Sequence, residues 1–371
     1  MSGARTVALA AGGTGGHLFP AISLARALLA RGAHPILVTD RRGAALPAEL
    51  AALETHRVHA GGIASGTLLH RIGGLAKILF GIFEARRLFS RLTPSAAIGF
   101  GGYASVPPLL AAMRAGVPTM IHEQNAVLGR ANRLLAPRVN RIATAFAEVA
   151  GLRAADKNKM HRTGNPVRPE IAAMAGTPYV TPAAAGPLNL LVFGGSQGAA
   201  IFSRVVPQAV AALPVALRAR IRIAQQCRAE HLDETAAAYR ARDQAAEVST
   251  FFADMPQRFA WAHLVMARAG ASTTAELACA GRPAILVPYA ASADDHQTAN
   301  ARAIVRAGGG WMLPEAELTP SRLAAELEAR LSDTDGLAAA AARIAALAEP
   351  RAAEALADLV MALLDAERRA A

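Results

Sequence analysis

The chain has 371 residues, 53% of them hydrophobic and 18% charged, a composition that excludes a largely disordered protein. This length exceeds the roughly 250–300 residues at which one hydrophobic core stops growing, so we expect two domains. The net charge is +11, and residues 1–170 carry the whole excess, with 21 Lys and Arg against 8 Asp and Glu. Two cysteines, Cys227 and Cys279, form neither a disulfide framework nor a zinc-ligand spacing and are typical of a reducing compartment.

Short apolar runs alternate with helical periodicities along the first half of the chain. The pattern predicts strands at 5–10, 35–39, 96–100, 118–121 and 140–144 and helices at 19–31, 72–92, 106–115 and 127–136. Strands that alternate with helices form parallel sheets covered by helices on both faces. The first half therefore predicts an α/β domain.

The second half repeats this organisation. Strands are predicted near 188–193, 220–225, 248–251, 263–266 and 284–287, with helices at 200–212, 229–242, 272–280 and 297–307. The segments 164–166 and 176–187 are rich in Pro, Gly and Ala and are predicted to be the inter-domain linker, which gives domains of residues 1–165 and 166–349. An amphipathic helix is predicted at 350–369, where we expect it to pack back on the first domain.

Two glycine-rich turns of the same design are the most informative local feature. They lie at 12–17 (Gly-Gly-Thr-Gly-Gly-His) and at 194–199 (Gly-Gly-Ser-Gln-Gly-Ala), each between a predicted strand and a predicted helix. Unpaired N–H groups at a helix N-terminus bind anions, so each turn predicts a phosphate site. The dinucleotide fingerprint G-x-G-x-x-G fails at Leu18 and misses its spacing in the second turn, which makes a nicotinamide enzyme the weaker interpretation. A Walker loop is excluded because no G-K-[ST] follows either turn.

Further polar residues lie where an α/β protein places its site, at the carboxyl ends of strands. These segments are 101–105 (Gly-Gly-Tyr-Ala-Ser), 122–125 (His-Glu-Gln-Asn), 268–276 (Arg-Ala-Gly-Ala-Ser-Thr-Thr-Ala-Glu) and 294–297 (Asp-Asp-His-Gln). Arg168 follows the segment 164–167 at the predicted hinge, where a guanidinium can reach a phosphate. The hydroxyls at 272–274 also fit plain helix caps. No cluster of His, Asp or Glu has metal-ligand spacing, so no metal site is predicted.

In combination these motifs resemble the MurG family of peptidoglycan glycosyltransferases. The matching segments, in chain order, are 12–20, 101–105, 122–125, 164–168, 194–199, 268–276 and 296–297. One departure is Ala269, where the family commonly has serine. The resemblance implies the GT-B fold, in which two Rossmann-like α/β domains with parallel sheets face an inter-domain cleft.

The resemblance also implies substrates and the residues that bind them. The donor would be UDP-N-acetylglucosamine (UDP-GlcNAc), held mainly by the second domain, and the acceptor would be the undecaprenyl-diphospho-N-acetylmuramoyl-pentapeptide. The implied donor-binding residues are Thr14, Gly15, Gly16, Asn125, Arg168, Ser196, Gln197, Gly198, Phe252, Ala271, Ser272, Thr273, Glu276, His296 and Gln297. Among them Glu276 would accept from the ribose hydroxyls, and Arg168 would lie near the phosphates.

The implied reaction is an inverting displacement at the anomeric carbon by the acceptor 4-hydroxyl. A sugar hydroxyl is a poor nucleophile and needs a base aligned on its proton. His17, at the tip of the first glycine turn, is predicted to be that base because imidazole titrates near neutral pH, and Glu123 is the rival base. Helix N–H groups and Arg168 would stabilise the leaving diphosphate, so neither a metal ion nor a cofactor is expected.

A lipid-linked acceptor implies a contact with the membrane. In the predicted helix 72–92 the expected core stripe is Ile72, Leu75, Leu79, Ile82 and Phe83, and the opposite face carries Lys77, Phe80, Glu84, Arg87 and Arg91. An aromatic side chain among basic residues is typical of a helix that lies on an anionic membrane surface. We expect no membrane span and no signal peptide, and therefore a peripheral protein on the cytoplasmic face of the inner membrane. Nucleic acid is not an expected partner because no recognition motif is present.

Three alternatives stay open at the level of the sequence. A GT-B nucleotide-sugar enzyme such as an epimerase would keep the fold without a lipid acceptor. A non-catalytic UDP-sugar sensor would bind the donor without turnover. A nicotinamide oxidoreductase would bind NAD(P) rather than UDP.

Overall fold

The computed structural model describes residues 5–12, 15–40, 53–61, 68–195 and 198–370. Two compact units divide the chain. Unit 1 comprises residues 1–168 and 351–371, and unit 2 comprises residues 169–350. Each unit is built on one sheet whose strands all run parallel.

Unit 1 contains a seven-stranded sheet in the order β3-β2-β1-β4-β5-β6-β7. Its strands are β1 (Thr6–Ala10), β2 (His34–Asp40), β3 (Thr55–Val58), β4 (Ala96–Gly99), β5 (Thr119–Glu123), β6 (Arg141–Thr144) and β7 (Met160–Arg162). Its first helices are α1 (Gly15–Leu29), α2 (Leu68–Leu92), α3 (Val106–Arg114) and α4 (Arg130–Leu135). Val7 and Leu9 of β1 enter one core cluster, while Ala8 and Ala10 enter the other. The sheet is therefore buried on both faces, which explains why its central strands read as continuous apolar runs.

Unit 2 contains a six-stranded sheet in the order β10-β9-β8-β11-β12-β13. Its strands are β8 (Leu188–Phe193), β9 (Ile221–Gln226), β10 (Ala246–Ser249), β11 (Leu264–Ala267), β12 (Ala284–Leu286) and β13 (Gly310–Met312). Its helices are α5 (Pro169–Ala172), α6 (Ala200–Ala211), α7 (Val215–Arg218), α8 (Leu232–Arg240), α9 (Met255–Trp261), α10 (Ala271–Ala280), α11 (His296–Arg306), α12 (Pro320–Ser332) and α13 (Thr334–Ala345). Leu190 and Val192 of β8 lie in its main core cluster.

The last helix, α14 (Ala352–Ala370), belongs to unit 1 and packs on α1. Leu356 and Val360 of α14 are fully buried in the same apolar cluster as β1. Arg31, which follows α1, donates to the Asp358 carboxylate at 2.6 Å. The buried leucine and valine, rather than this exposed ion pair, account for most of the stabilisation, since surface ion pairs contribute about 0–1 kcal/mol.

The strands that the sequence patterns missed all lie at sheet edges. β3 and β7 close the two sides of the first sheet, and β13 closes one side of the second. Edge strands are short and one side of each is open to water, so polar residues such as His56 and Arg57 interrupt the apolar pattern. The strands that were predicted agree with the structure to within about two residues.

The prediction that 176–187 is an inter-domain linker is wrong. The boundary between the units falls after Arg168, and the segment 176–187 lies within unit 2. The Tyr179 hydroxyl donates to the His263 carbonyl at 2.9 Å, and the Arg220 guanidinium donates to the Gly186 carbonyl at 2.9 Å. Pro- and Gly-rich composition indicated the lack of regular structure, but hydrogen bonds tie the segment to its own unit.

The predicted core stripe of the second helix is also wrong in part. Ile82 is buried, but Leu79 and Phe83 are 60% and 61% exposed, and the side chains of Ile72 and Leu75 lie outside the described residues. The buried face instead follows Gly74, Ile78, Gly81, Ile82, Ala85 and Phe89. A Cβ atom on Gly81 would collide with the His59 carbonyl, so α2 turns Gly81 inward for close backbone contact. Apolar periodicity does not count glycine and therefore misplaced the buried face.

Candidate functional site

The first glycine turn lies where the strand order of unit 1 reverses. The chain leaves β1 for β2 and β3, and then places β4 on the other side of β1. Parallel α/β sheets bind ligands at such a switch point, outside the carboxyl ends of the strands. α1 begins there directly after β1, and the turn of residues 101–105 follows β4.

His17, in the first turn of α1, packs its ring against the turn that follows β4. Gly101 and Gly102 have φ angles of +86° and +68°, which residues with side chains rarely adopt. A Cβ atom on Gly101 would lie 3.1 Å from Cε1 of His17, so glycine is needed for the ring to approach. The Ser105 hydroxyl donates to the Gly102 carbonyl at 2.9 Å and closes the turn. The fold thus holds an imidazole at the switch point.

Gln124 joins the His17 ring to the buried ring of His122. Oε1 of Gln124 lies 3.2 Å from Nδ1 of His17, and Nε2 of Gln124 lies 3.0 Å from Nδ1 of His122. Nε2 of His122 is 3.0 Å from the Gly164 carbonyl oxygen. Burial lowers the pKa of His122 to about 4, although the hydrogen bond to that carbonyl favours the charged form. His122 is therefore neutral at pH 7.

Glu123, the last residue of β5, is 2% exposed and organises the loop that follows. Its Oε1 accepts from the backbone N–H and the side-chain amide of Asn125 at 3.0 and 3.1 Å. Its Oε2 accepts from the Gly129 N–H at 2.9 Å and from the Asn132 side chain at 2.8 Å. Four donors therefore occupy the two carboxylate oxygens, which is an arrangement for holding a loop rather than for accepting a substrate proton.

The remaining predicted residues of unit 1 lie at the ends of its elements. Gly15 and Gly16 are the first two residues of α1, and Arg168 is the last residue of unit 1 before the boundary. Thr14 lies outside the described residues. Within the described part of the chain, no three His, Cys, Asp or Glu side chains come together as a metal site would require.

The second glycine turn lies at the corresponding switch point of unit 2, between β8 and β11. The Gly198 N–H donates to the Gly195 carbonyl at 3.0 Å, and both residues have positive φ angles, +65° and +78°. A Cβ atom on Gly194 would collide with the backbone that follows the turn. α6 then begins at Ala200. Ser196 and Gln197 lie outside the described residues.

α10 begins beside this turn, directly after β11. Ala271 is its first residue, Thr273 is buried, and Glu276 is half-buried one turn further along. The Ser272 hydroxyl is shielded from solvent and has no hydrogen-bond partner among the described residues. A buried hydroxyl without a partner is costly, so its position at a helix N-terminus indicates a place for a polar ligand.

The other predicted residues of unit 2 follow β10 and β12. The Phe252 ring is buried, with the Arg258 guanidinium 4.5 Å from its centroid, so only the backbone of Phe252 offers polar groups. His296 and Gln297 open α11. Oε1 of Gln297 already accepts from the Tyr289 N–H at 2.9 Å, which leaves its amide N–H groups to meet a ligand.

An ion pair that the sequence patterns did not predict holds the loop after β12. The Arg268 guanidinium pairs with the Glu315 carboxylate at 3.0 Å and lies 5.1 Å and 5.2 Å from the ring centroids of Phe202 and Tyr289. Burial alone would raise the pKa of Glu315, but hydrogen bonds from Arg268 and the Ala290 N–H outweigh it and lower the pKa. The partners are 47 residues apart in sequence, so no local pattern could have paired them.

One face of α2 carries exposed apolar and basic side chains together. Leu79, Phe80 and Phe83 are 60%, 52% and 61% exposed. Around them lie four exposed cations, Lys77, Arg86, Arg87 and Arg91, none of which forms a salt bridge with a described residue. We call these seven residues the α2 surface. Across the described ranges, no helix has both the length and the apolar character that crossing a bilayer requires.

Comparison with known proteins supports one family throughout. The chain matches the glycosyltransferase family 28 N-terminal domain over residues 7–144 and the C-terminal domain of that family over residues 189–356. A protein of Paramagnetospirillum magneticum is 53% identical over 97% of both chains, and one of Rhodospirillum centenum is 51% identical over 96% of this chain and 93% of its own. Both are named UDP-N-acetylglucosamine--N-acetylmuramyl-(pentapeptide) pyrophosphoryl-undecaprenol N-acetylglucosamine transferase.

The chain belongs to the MurG family. The crystal structure of Acinetobacter baumannii MurG aligns with a TM-score of 0.79 and 30% identity over 96% of this chain and 99% of that one. A kitacinnamycin glycosyltransferase structure, at 19% identity and a TM-score of 0.69 over 97% and 99% of the two chains, shares the fold. The GT-B fold class and the enzyme class, an N-acetylglucosaminyltransferase, are thus confirmed, and the epimerase, sensor and oxidoreductase alternatives are excluded.

Proposed function

We propose that the two glycine turns of this MurG-family chain have different roles in one glycosyl transfer. The reaction moves N-acetylglucosamine from UDP-GlcNAc to the lipid-linked N-acetylmuramoyl-pentapeptide, converting lipid I into lipid II in peptidoglycan synthesis. The turn of unit 2 holds the donor diphosphate, and the turn of unit 1 supplies the base. The observation that carries this division is the His17 imidazole at one switch point and, at the other, the Ser272 hydroxyl, which meets no hydrogen-bond partner in the described part of the chain.

The donor diphosphate is proposed to bind at the N-termini of α6 and α10. Both helices begin at the carboxyl end of the second sheet without a side-chain cap among the described residues, and the Ser272 hydroxyl adds a donor there. Gly198, Ser196 and Gln197 would contact the diphosphate from the neighbouring turn, and Thr273 would offer a further N–H of α10. The backbone of Phe252 and Ala271 would meet uracil, and the amide of Gln297 with His296 would bind the sugar.

Replacing Glu276 with alanine is expected to weaken UDP-GlcNAc binding by roughly 10- to 100-fold, because hydrogen bonds from ribose hydroxyls to a carboxylate contribute about 1.5–3 kcal/mol. Isothermal titration calorimetry measures the dissociation constant directly. Glu328→Ala removes an exposed carboxylate of α12 in the same unit and is the matched control. Equal affinities for the two variants would remove Glu276 from the donor site.

The chemical step is proposed to use His17 as the general base. The acceptor 4-hydroxyl oxygen attacks the anomeric carbon, the bond from that carbon to the diphosphate oxygen breaks, and the hydroxyl proton passes to the His17 imidazole. UDP leaves with inversion to a β-linkage, and its charge is stabilised by the helix N–H groups and Arg168. Thr14, Gly15, Gly16 and Asn125 would contact the donor sugar. Glu123 is a poor candidate for the base because four donors already occupy its oxygens.

The α2 surface is proposed to bind the cytoplasmic face of the inner membrane, where the lipid-linked acceptor lies. Full burial of a large apolar side chain contributes about 1.5–3 kcal/mol, and each nearby cation about 1 kcal/mol at an anionic leaflet. Leu79, Phe80 and Phe83 supply the apolar part, and the four cations surround them. The helical pattern had assigned Leu79 and Phe83 to the core. Because both are exposed, the apolar area of this surface is larger than Phe80 alone would provide.

The triple variant L79S/F80S/F83S is expected to lower binding to vesicles that contain phosphatidylglycerol by about 100-fold or more, because three half-exposed apolar side chains no longer enter the bilayer. Sedimentation with vesicles measures the partition coefficient. The variant V180S/V215S, which changes exposed valines of unit 2, is the control. Unchanged partitioning of the triple variant would contradict the membrane role of α2.

The whole proposal is tested by transfer of radiolabelled sugar from UDP-GlcNAc to a lipid-linked muramoyl-pentapeptide. We expect a β-linked product, formed equally with and without a chelator. Donor binding without any transfer to this acceptor would contradict the proposed roles, and loss of transfer on chelation would require a metal ion in the site.

A further inference from the structure

We infer that Gln124 is a positioning residue that fixes the proton of neutral His17 on Nδ1 and so leaves Nε2 as the basic atom, an inference that rests on the proposed role of His17 as base. Each hydrogen-bonding group around Gln124 can be assigned as donor or acceptor from chemistry alone.

The amide of Gln124 can point in only one direction. Its Nε2 lies 3.0 Å from the Phe100 carbonyl oxygen and 3.1 Å from the His122 carbonyl oxygen. A carbonyl oxygen can only accept, so the atom that faces two of them is the amide NH₂. The other end of the amide is therefore the oxygen, and it faces His17.

The ring of His122 fits this orientation independently. Its Nε2 is 3.0 Å from the Gly164 carbonyl oxygen, so Nε2 carries the proton. Because burial keeps the ring neutral, its Nδ1 is an acceptor, and it lies 3.0 Å from the NH₂ of Gln124. If the Gln124 amide were reversed, its oxygen would face three acceptors, namely the Phe100 and His122 carbonyl oxygens and Nδ1 of His122. None of these contacts could then be a hydrogen bond.

The tautomer of His17 follows. Oε1 of Gln124 lies 3.2 Å from Nδ1 of His17 and can only accept, so Nδ1 donates and Nε2 of the neutral ring keeps its lone pair. The ring lies against the backbone of Gly101 and Gly102, and turning it over would place Cδ2 instead of Nδ1 at Gln124 and lose this hydrogen bond. An amide partner fixes the tautomer without adding the negative charge that a carboxylate partner would bring.

The first test is ¹⁵N NMR of the full chain with labelled histidine, at a pH above the titration of His17. The pattern of couplings between ring protons and nitrogens distinguishes the two tautomers, and the spectrum of His17→Gln assigns the signals of this ring. We expect Nδ1 to be the protonated nitrogen. A proton on Nε2 of His17 in the unaltered protein would overturn the inference. This measurement needs no variant of Gln124.

The second test is Gln124→Leu, with Gln208→Leu, an exposed change on α6, as the matched control. We expect Gln124→Leu to lose the Nδ1-protonated pattern and to lower kcat by roughly 10- to 100-fold, with the dissociation constant of UDP-GlcNAc within about 2-fold of the unaltered protein. A variant that keeps both the pattern and kcat would overturn the inference. Full activity of His17→Ala would contradict the proposed role of His17 as the base. The NMR spectrum would still show whether Gln124 fixes the tautomer of His17.

Discussion

Replacing His17 with alanine is expected to lower kcat by roughly 10²- to 10⁴-fold, the range that a positioned general base contributes. The variant loses the imidazole at the switch point of unit 1 but leaves every donor-binding residue of unit 2 in place. The dissociation constant of UDP-GlcNAc should therefore change by less than about 2-fold. Single-turnover transfer and calorimetry on the same preparation measure the two quantities.

The matched control is His34→Ala, which removes an exposed histidine at the start of β2. This control should retain kcat. Full activity of His17→Ala would contradict the assignment, and a parallel loss of donor affinity would instead place His17 in the donor site.

Replacing Glu123 with alanine is expected to lower the free energy of unfolding by about 3–5 kcal/mol, because it leaves the four donors of Asn125, Gly129 and Asn132 without their acceptor. For a unit of this size that loss corresponds to a melting temperature lower by roughly 6–20 °C. Differential scanning calorimetry, with kcat measured well below the transition, separates stability from chemistry.

Glu148→Ala, an exposed carboxylate of unit 1, is the control for Glu123 and should leave the melting temperature within about 2 °C. The outcome also decides between the two candidate bases. If Glu123→Ala melts normally and loses kcat by the factor expected for His17, Glu123 is the base and the loop-holding role is wrong.

The sequence predicted the parts of the fold that are governed by local pattern. Buried central strands such as β1 and β8 read as apolar runs, and the glycine turns after them mark the two switch points, so the α/β class and the positions of both turns followed from local residues. Edge strands such as β3 were not predicted, because exposure on one side removes the apolar pattern by which a strand is recognised in the sequence.

The details of the site depended on contacts between distant segments. Gln124 contacts the ring of His17, which lies 107 residues earlier in the chain, and Arg268 pairs with the carboxylate of Glu315, 47 residues later. A motif can show that residues 122–125 are polar, but it cannot show that four donors occupy Glu123 or that Gln124 faces His17. For the same reason the orientation of α2 required the close approach of Gly81 to His59, which is a tertiary contact.

The central claim, that the glycine turn of unit 1 carries the chemistry and that of unit 2 holds the donor, is tested most directly by one paired measurement. Single-turnover transfer rates at saturating UDP-GlcNAc and donor dissociation constants are determined together for His17→Ala and Glu276→Ala. The account predicts a crossed result, in which His17→Ala loses rate and keeps affinity, while Glu276→Ala loses affinity and recovers most of its rate at saturation. Equal losses of rate and affinity in both variants would contradict it.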